Sequence, residues 1–124
     1  MERSLYDRLG GKPGVAALVD DVIEAHLKNP VIQARFLPYL EMPERLATAK
    51  AHLCDFFGAG SGGPETYTGR SMVEAHRGMN ISAAEYLAAM DDIMATLEAH
   101  DIDEQARKDV LMISFSLKPE IVRQ

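Results

Sequence analysis

Gly62-Gly63-Pro64-Glu65-Thr66-Tyr67-Thr68-Gly69-Arg70-Ser71-Met72-Val73-Glu74-Ala75-His76-Arg77-Gly78 is the least ordinary stretch of this chain. Its first half is turn chemistry, three glycines and a proline. Its second half has room for little more than about one and a half helical turns before another glycine. The stretch presents one histidine at the end of a short segment. Residue types alone leave open what His76 is presented to, because a lone histidine is as readily structural as it is a ligand.

Outward from this stretch the pattern is helical on both sides. Val15, Val19, Val22, Ile23 and Leu27 recur at helical spacing after Pro13, up to about Lys28, where Asn29-Pro30 breaks the helix. A short first helix over Ser4 to Leu9 precedes it, stopped by Gly10-Gly11. A short segment around Val31 to Phe36 leads into a connection with Pro38 and Tyr39. Pro43 opens a helix with the stripe Leu46, Ala49, Leu53 and Phe56, and the glycines at 58, 60, 62 and 63 end it. Ser82 and Glu85 form a capping box before a stripe of Tyr86, Met90, Ile93, Met94 and Leu97. Asp103 caps a last helix with Val110, Ile113, Leu117 and Ile121 inward. Period-2 runs are nearly absent, so the expected class is all-α.

The length of 124 residues fits a single domain over residues 1–124, and 47% hydrophobic residues suffice for one core. A net charge of -6 with scattered Lys and Arg argues against a nucleic-acid or anionic-membrane surface. Cys54 is the one cysteine, so neither an intrachain disulfide nor a cysteine metal cluster can form. The first residues lack the apolar core of a signal peptide, and no run approaches the ~20 apolar residues of a membrane span. The expectation is a cytoplasmic protein.

No His-Glu-x-x-His, Cys-x-x-Cys or phosphate-binding glycine loop is present. The neighbouring carboxylates Asp20-Asp21 and Asp91-Asp92 read as solvated faces, since adjacent helical residues do not face each other. His100 falls at a helix C-terminus, where the helix dipole favours a cation. His26 borders an apolar face and reads first as a partly buried amphipathic side chain. His52 lies three residues after Ala49 and four before Phe56, at the edge of the inward stripe.

Leu5-Tyr6-Asp7-Arg8-Leu9-Gly10-Gly11, Phe36, Gly62-Gly63-Pro64-x-x-Tyr67-Thr68-Gly69 and Met72-x-x-x-His76-x-Gly78 together resemble the group I truncated haemoglobins. The resemblance covers essentially the whole chain. It implies a truncated globin fold, a two-over-two helical sandwich, holding haem b in an apolar slot. It makes His76 the proximal iron ligand and Phe36 the phenylalanine on the porphyrin face. Tyr67 and Met72 match proximal-side positions, and Tyr86, Ile93 and the last helix would complete the walls together with Phe56.

The chain departs from the pattern on the distal side. Ile23 stands where many members carry a tyrosine, Leu53 where a glutamine often assists, and Ala49 at the position that gates the pocket. Two hydrogen-bond donors are thus replaced by hydrocarbon, which should weaken oxygen retention by roughly 1–3 kcal/mol. His52 matches a position from which some members supply a second axial histidine. His26 and Tyr39 are weaker distal candidates, and the connection around Leu37 to Glu41 is longer than in many relatives.

The leading expectation is a haem protein binding diatomic gases (oxygen, nitric oxide, carbon monoxide), with nitric-oxide dioxygenation dependent on a partner reductase. The alternative is a bis-histidyl haem, His76 with His52, serving redox, peroxide-handling or sensing roles.

Overall fold

The computed structural model describes residues 4–69 and 71–123. Among the described residues seven helices follow in order: α1 (Leu5–Arg8), α2 (Gly11–Lys28), α3 (Gln33–Phe36), α4 (Pro43–Gly60), α5 (Met72–His76), α6 (Ala83–Ala99) and α7 (Glu104–Ile121). A 3-10 turn, Leu37–Glu41, joins α3 to α4. Among the described residues there is no strand, only an isolated bridge between Ile81 and Val122.

The ends of these helices are fixed by local chemistry. Ser4 Oγ accepts from the Asp7 amide at 3.1 Å and starts α1. Ser82 Oγ accepts from the Glu85 amide, and the Glu85 carboxylate accepts from the Ser82 amide, so the expected capping box opens α6. Asp103 accepts from the Ala106 amide at 2.8 Å and opens α7. Each bond satisfies a donor that a helix N-terminus otherwise leaves orphaned.

Two helix pairs make the sandwich. α2 packs along α4, and α6 along α7, with α2 also crossing α6. Tyr6, Leu9, Val15, Leu18, Val19, Ile23, Leu97 and Val110 form the main core. Ile81, Tyr86 and Met90 form a second cluster on the α6–α7 side. α5 packs on α7. Among the described residues, α4 makes no extensive contact with α5, α6 or α7. The two halves of the sandwich therefore part between α4 and α7.

That parting accounts for one difference from the expected pattern. Ile113 was expected inward with Val110, Leu117 and Ile121, yet it is exposed. Val110 meets the main core, but one turn later α7 faces α4 across an apolar cleft of about 220 Å³. Leu5, Phe56, Phe57, Val110, Ile113 and Leu117 line that cleft.

α1 straps the corner between α4 and the glycine loop. The Tyr6 amide donates to Ser61 O at 2.9 Å, and the Tyr6 hydroxyl donates to Glu65 Oε1 at 2.6 Å. The other carboxylate oxygen, Glu65 Oε2, is buried without a hydrogen-bond partner. Gly63 passes so close that a Cβ there would lie 2.4 Å from the Tyr6 ring and 2.7 Å from the Glu65 carboxylate. Only glycine permits that approach.

The Tyr6 phenol is pushed up from 10.0 to about 12, first by its hydrogen bond to Glu65 and then by burial. A raised pKa in the folded state means that the contribution is complete below pH 10.0 and is lost as pH climbs towards about 12. In denaturation experiments, the stability advantage of the wild type over Tyr6→Phe should shrink across that window. A constant difference would contradict the strap.

Candidate functional site

α5 is five residues long, and its start is capped by Ser71, whose Oγ accepts from the Glu74 amide at 3.1 Å. At its end the His76 ring is half-buried, and Nδ1 lies 2.8 Å from Met72 O. A carbonyl only accepts, so Nδ1 carries the proton and donates it. In the neutral ring Nε2 is then the nitrogen with the free lone pair, and it has no partner among the described residues. Gly78 follows in the left-handed region, φ +85°, and turns the chain away towards α6.

The residues expected on the distal side come together in part. Ile23 is 4% exposed, and Phe36, Leu53 and Ile93 pack against the core that contains it. Ala49 is half-buried on α4, one turn before Leu53. The two positions where donors were weighed are thus occupied by hydrocarbon inside an apolar setting.

A second group gathers on the α4 side of the glycine loop. The Tyr67 ring stands edge-on to Phe56 at 5.3 Å and to His52 at 6.2 Å between centroids. His52 itself is exposed. Tyr86 is buried, and its hydroxyl donates to Ser114 O. Burial raises its pKa. It ties α6 to α7 with its polar end satisfied. Met72 is half-buried at the start of α5. Tyr39 is half-buried on the 3-10 turn. His100 caps the end of α6, with Nε2 2.6 Å from Asp21 Oδ2.

One expectation is overturned. Asp92 is not a solvated carboxylate: its side chain is 16% exposed, and Oδ2 lies 2.7 Å from His26 Nδ1. Asn29 Nδ2 donates to both oxygens of Asp92, at 3.1 and 3.2 Å. Asp20, Asp21 and Asp91 are exposed as expected. The sequence rule that neighbours on a helix diverge was sound. It placed Asp91 outside and therefore Asp92 about 100° around, towards α2. His26 is buried, as the reading of an amphipathic side chain required, and its ring lies 4.9 Å from that of Phe36.

Arg35 joins the segment bearing Phe36 to the segment that follows His76. Its Nε donates to Glu85 Oε2, one Nη donates to Glu85 Oε1 at 3.1 Å, and the same nitrogen donates to Met79 O at 3.1 Å. Nothing in the sequence pattern signalled this clamp, because it joins residues 50 apart.

The donor set fits a flat metal-bearing macrocycle. It offers one imidazole whose Nδ1 is held by a backbone carbonyl, and, on α2 and α4, the apolar side chains Ile23, Leu53 and Ala49. The bacterial-like globin family model matches residues 4–120 of the chain. The chain is 30% identical over 115 residues to Group 1 truncated hemoglobin GlbN of Synechocystis sp., covering 90% of this chain and 89% of that protein. It is 28% identical over 120 residues to Group 1 truncated hemoglobin of Tetrahymena pyriformis, covering 88% and 95%. The crystal structure of the truncated hemoglobin from Tetrahymena pyriformis in its Fe(III) form superposes with a TM-score of 0.86 at 22% identity, over 98% of this chain and all of that one. The 2/2 hemoglobin from Synechococcus sp., crystallised in the cyanomet state with covalently attached heme, gives 0.82 at 24% identity, over 94% of both chains.

Glu85 is lowered from 4.5 to about 2, first by its hydrogen bond with Arg35 and then by the Ser82 amide. A depressed carboxylate contributes stability above pH 4.5 and loses it as pH falls towards about 2. The stability difference between wild type and Arg35→Gln should therefore narrow through that range. A difference that persists undiminished at the acid end would show that the clamp does not depend on the Glu85 charge. With the family model matched over residues 4–120 and a group 1 relative 30% identical over 90% of the chain, this chain belongs to the bacterial-like globins, as a group 1 truncated haemoglobin.

Proposed function

We propose that this chain holds haem b through His76 and binds diatomic gases, oxygen above all. The observation that carries this reading is the bond from His76 Nδ1 to Met72 O, 2.8 Å long. In the neutral ring it leaves the Nε2 lone pair free and more basic, which is what an iron-ligating imidazole needs. When bound, the haem would supply an iron that His76 holds and that takes up oxygen, nitric oxide or carbon monoxide.

The rest of the task falls to the side chains. Phe36, Ile93 and Phe56 would flank the macrocycle with apolar surface, and Met72, Tyr67 and Tyr86 would border it on the His76 side. Ile23, Leu53 and Ala49 exclude water from the opposite side and offer no hydrogen-bond donor. Excluding water protects a ferrous iron from oxidation, while the missing donor shortens the retention of oxygen. The reading is thus a rapidly exchanging oxygen-binding protein. Nitric-oxide dioxygenation would require a separate reductase. A single domain over residues 1–124, at work in a cytoplasm, suits it.

The bis-histidyl alternative rests on His52. Its exposed position beside Tyr67 favours one protein ligand rather than two. The ferric spin state of His52→Ala should accordingly match the wild type.

Haem titration of the purified protein should give a Soret band that saturates at one haem per chain. His76→Gly should lose the native axial ligation, and added imidazole should restore it. A wild-type protein that takes up no haem, or a His76→Gly protein with an unchanged spectrum, overturns the assignment. Leu53→Gln or Ile23→Tyr should slow oxygen dissociation by roughly five- to hundredfold, as ~1–3 kcal/mol from a charge-assisted hydrogen bond implies. Unchanged dissociation in both would place these residues outside the distal pocket.

A further inference from the structure

A buried polar triad stands behind Phe36 and has no part in the reading above. His26 is 6% exposed and lies one turn beyond Ile23 on α2. A leucine would fill such a position without the cost of desolvating a ring with two nitrogens. His26 is retained there by a specific arrangement. Asp92 Oδ2 lies 2.7 Å from Nδ1, so a carboxylate acceptor holds the proton on Nδ1.

Asp92 is fixed in turn. Asn29 Nδ2 donates to both its oxygens at 3.1 and 3.2 Å. Asn29 Oδ1 meanwhile accepts from the Val31 amide at 3.0 Å, which ties the same side chain to the start of the segment leading to Phe36. The triad therefore spans α2, α6 and the connection to α3. Each member has at least one partner held by another element.

Phe36 lacks such backbone support. It ends a four-residue helix and is followed at once by a 3-10 turn. Neither element is long enough to lock a ring by its own packing. The ring is instead met by His26, 4.9 Å away and tilted by 40°. That spacing lies within the range of an attractive aromatic pair. Arg35 anchors the backbone on the other side through Glu85 and Met79.

We infer that His26, oriented by Asp92 and Asn29, is a positioning residue that holds the Phe36 ring at the face of the haem pocket. The inference rests on the proposed placement of Phe36 against the macrocycle. A buried, hydrogen-bonded polar pair fixes an orientation that an apolar filler of equal volume would leave adjustable. Asp92 also adjoins Ile93, so the same brace holds two walls of the pocket on one rigid support.

The test uses the haem-loaded protein with ring-labelled phenylalanine, followed by NMR, together with the C–O stretching band of its carbon monoxide complex. In His26→Ala, flipping of the Phe36 ring should accelerate by about tenfold, as the loss of one aromatic contact of ordinary strength implies. The C–O band should broaden or split. His26→Phe keeps an aromatic face and should restore most of the ring order. Asp92→Asn keeps the shape, weakens the orientation and should fall between.

A purely structural role predicts a lower denaturation midpoint with Phe36 dynamics and the C–O band unchanged, and that result overturns the inference while an intact Soret band leaves the haem reading standing. If His26→Ala does not fold, the milder His26→Phe and Asp92→Asn carry the same comparison. If the wild type takes up no haem, the haem reading fails first, and the pocket role of His26 falls with it.

Discussion

The hydrogen bond from His76 Nδ1 to the Met72 carbonyl decides which nitrogen of the ring is available for chemistry. It is a contact four residues long, made inside one short helix. Much else in the chain serves to place it. The Ser71 cap starts the helix, Gly78 turns the chain away from its end, and α7 supports it from behind. The glycine loop before it is pinned by Tyr6 and Glu65 to the corner of α1 and α4. A histidine so presented, with one nitrogen tied to its own helix, leaves the other for a ligand.

The His76 side and the α2–α4 side are built differently. On the His76 side the helix is short, capped and hydrogen-bonded, which fixes the His76 ring. On the far side α2 and α4 present Ile23, Leu53 and Ala49, which fix only a boundary to water. Between them, Arg35 ties the α3 segment to the start of α6, and the His26–Asp92–Asn29 group ties α2 to α6. The helices that carry these residues are thus linked by polar bonds around an apolar interior.

Much of this was legible in the sequence because it is local. The capping box at Ser82 and Glu85, the Asp103 cap, the Gly10-Gly11 stop and the stripes of α2, α4 and α6 all depend on residues within one or two turns. The His76 segment was legible for the same reason. The polar ties were not, because they join residues far apart in the chain: His26 to Asp92 across 66 residues, Arg35 to Glu85 across 50, Tyr6 to Glu65 across 59. Asp92 was misread since its neighbour Asp91 is exposed and only the position of α2 distinguishes them. Ile113 was misread since a periodic stripe tells which face is apolar but not how far the covering helix extends. The setting of His52 depended likewise on where the loop would lay Tyr67.

The central claim is that His76, with its Nδ1 proton held by Met72, is the protein ligand of a haem iron. Resonance Raman spectroscopy of the ferrous, gas-free protein tests it most directly. The account predicts an iron–histidine stretching band that shifts with 15N-labelled histidine and is absent from His76→Gly. A wild-type protein without that band, or one in which the band survives the substitution, would contradict it.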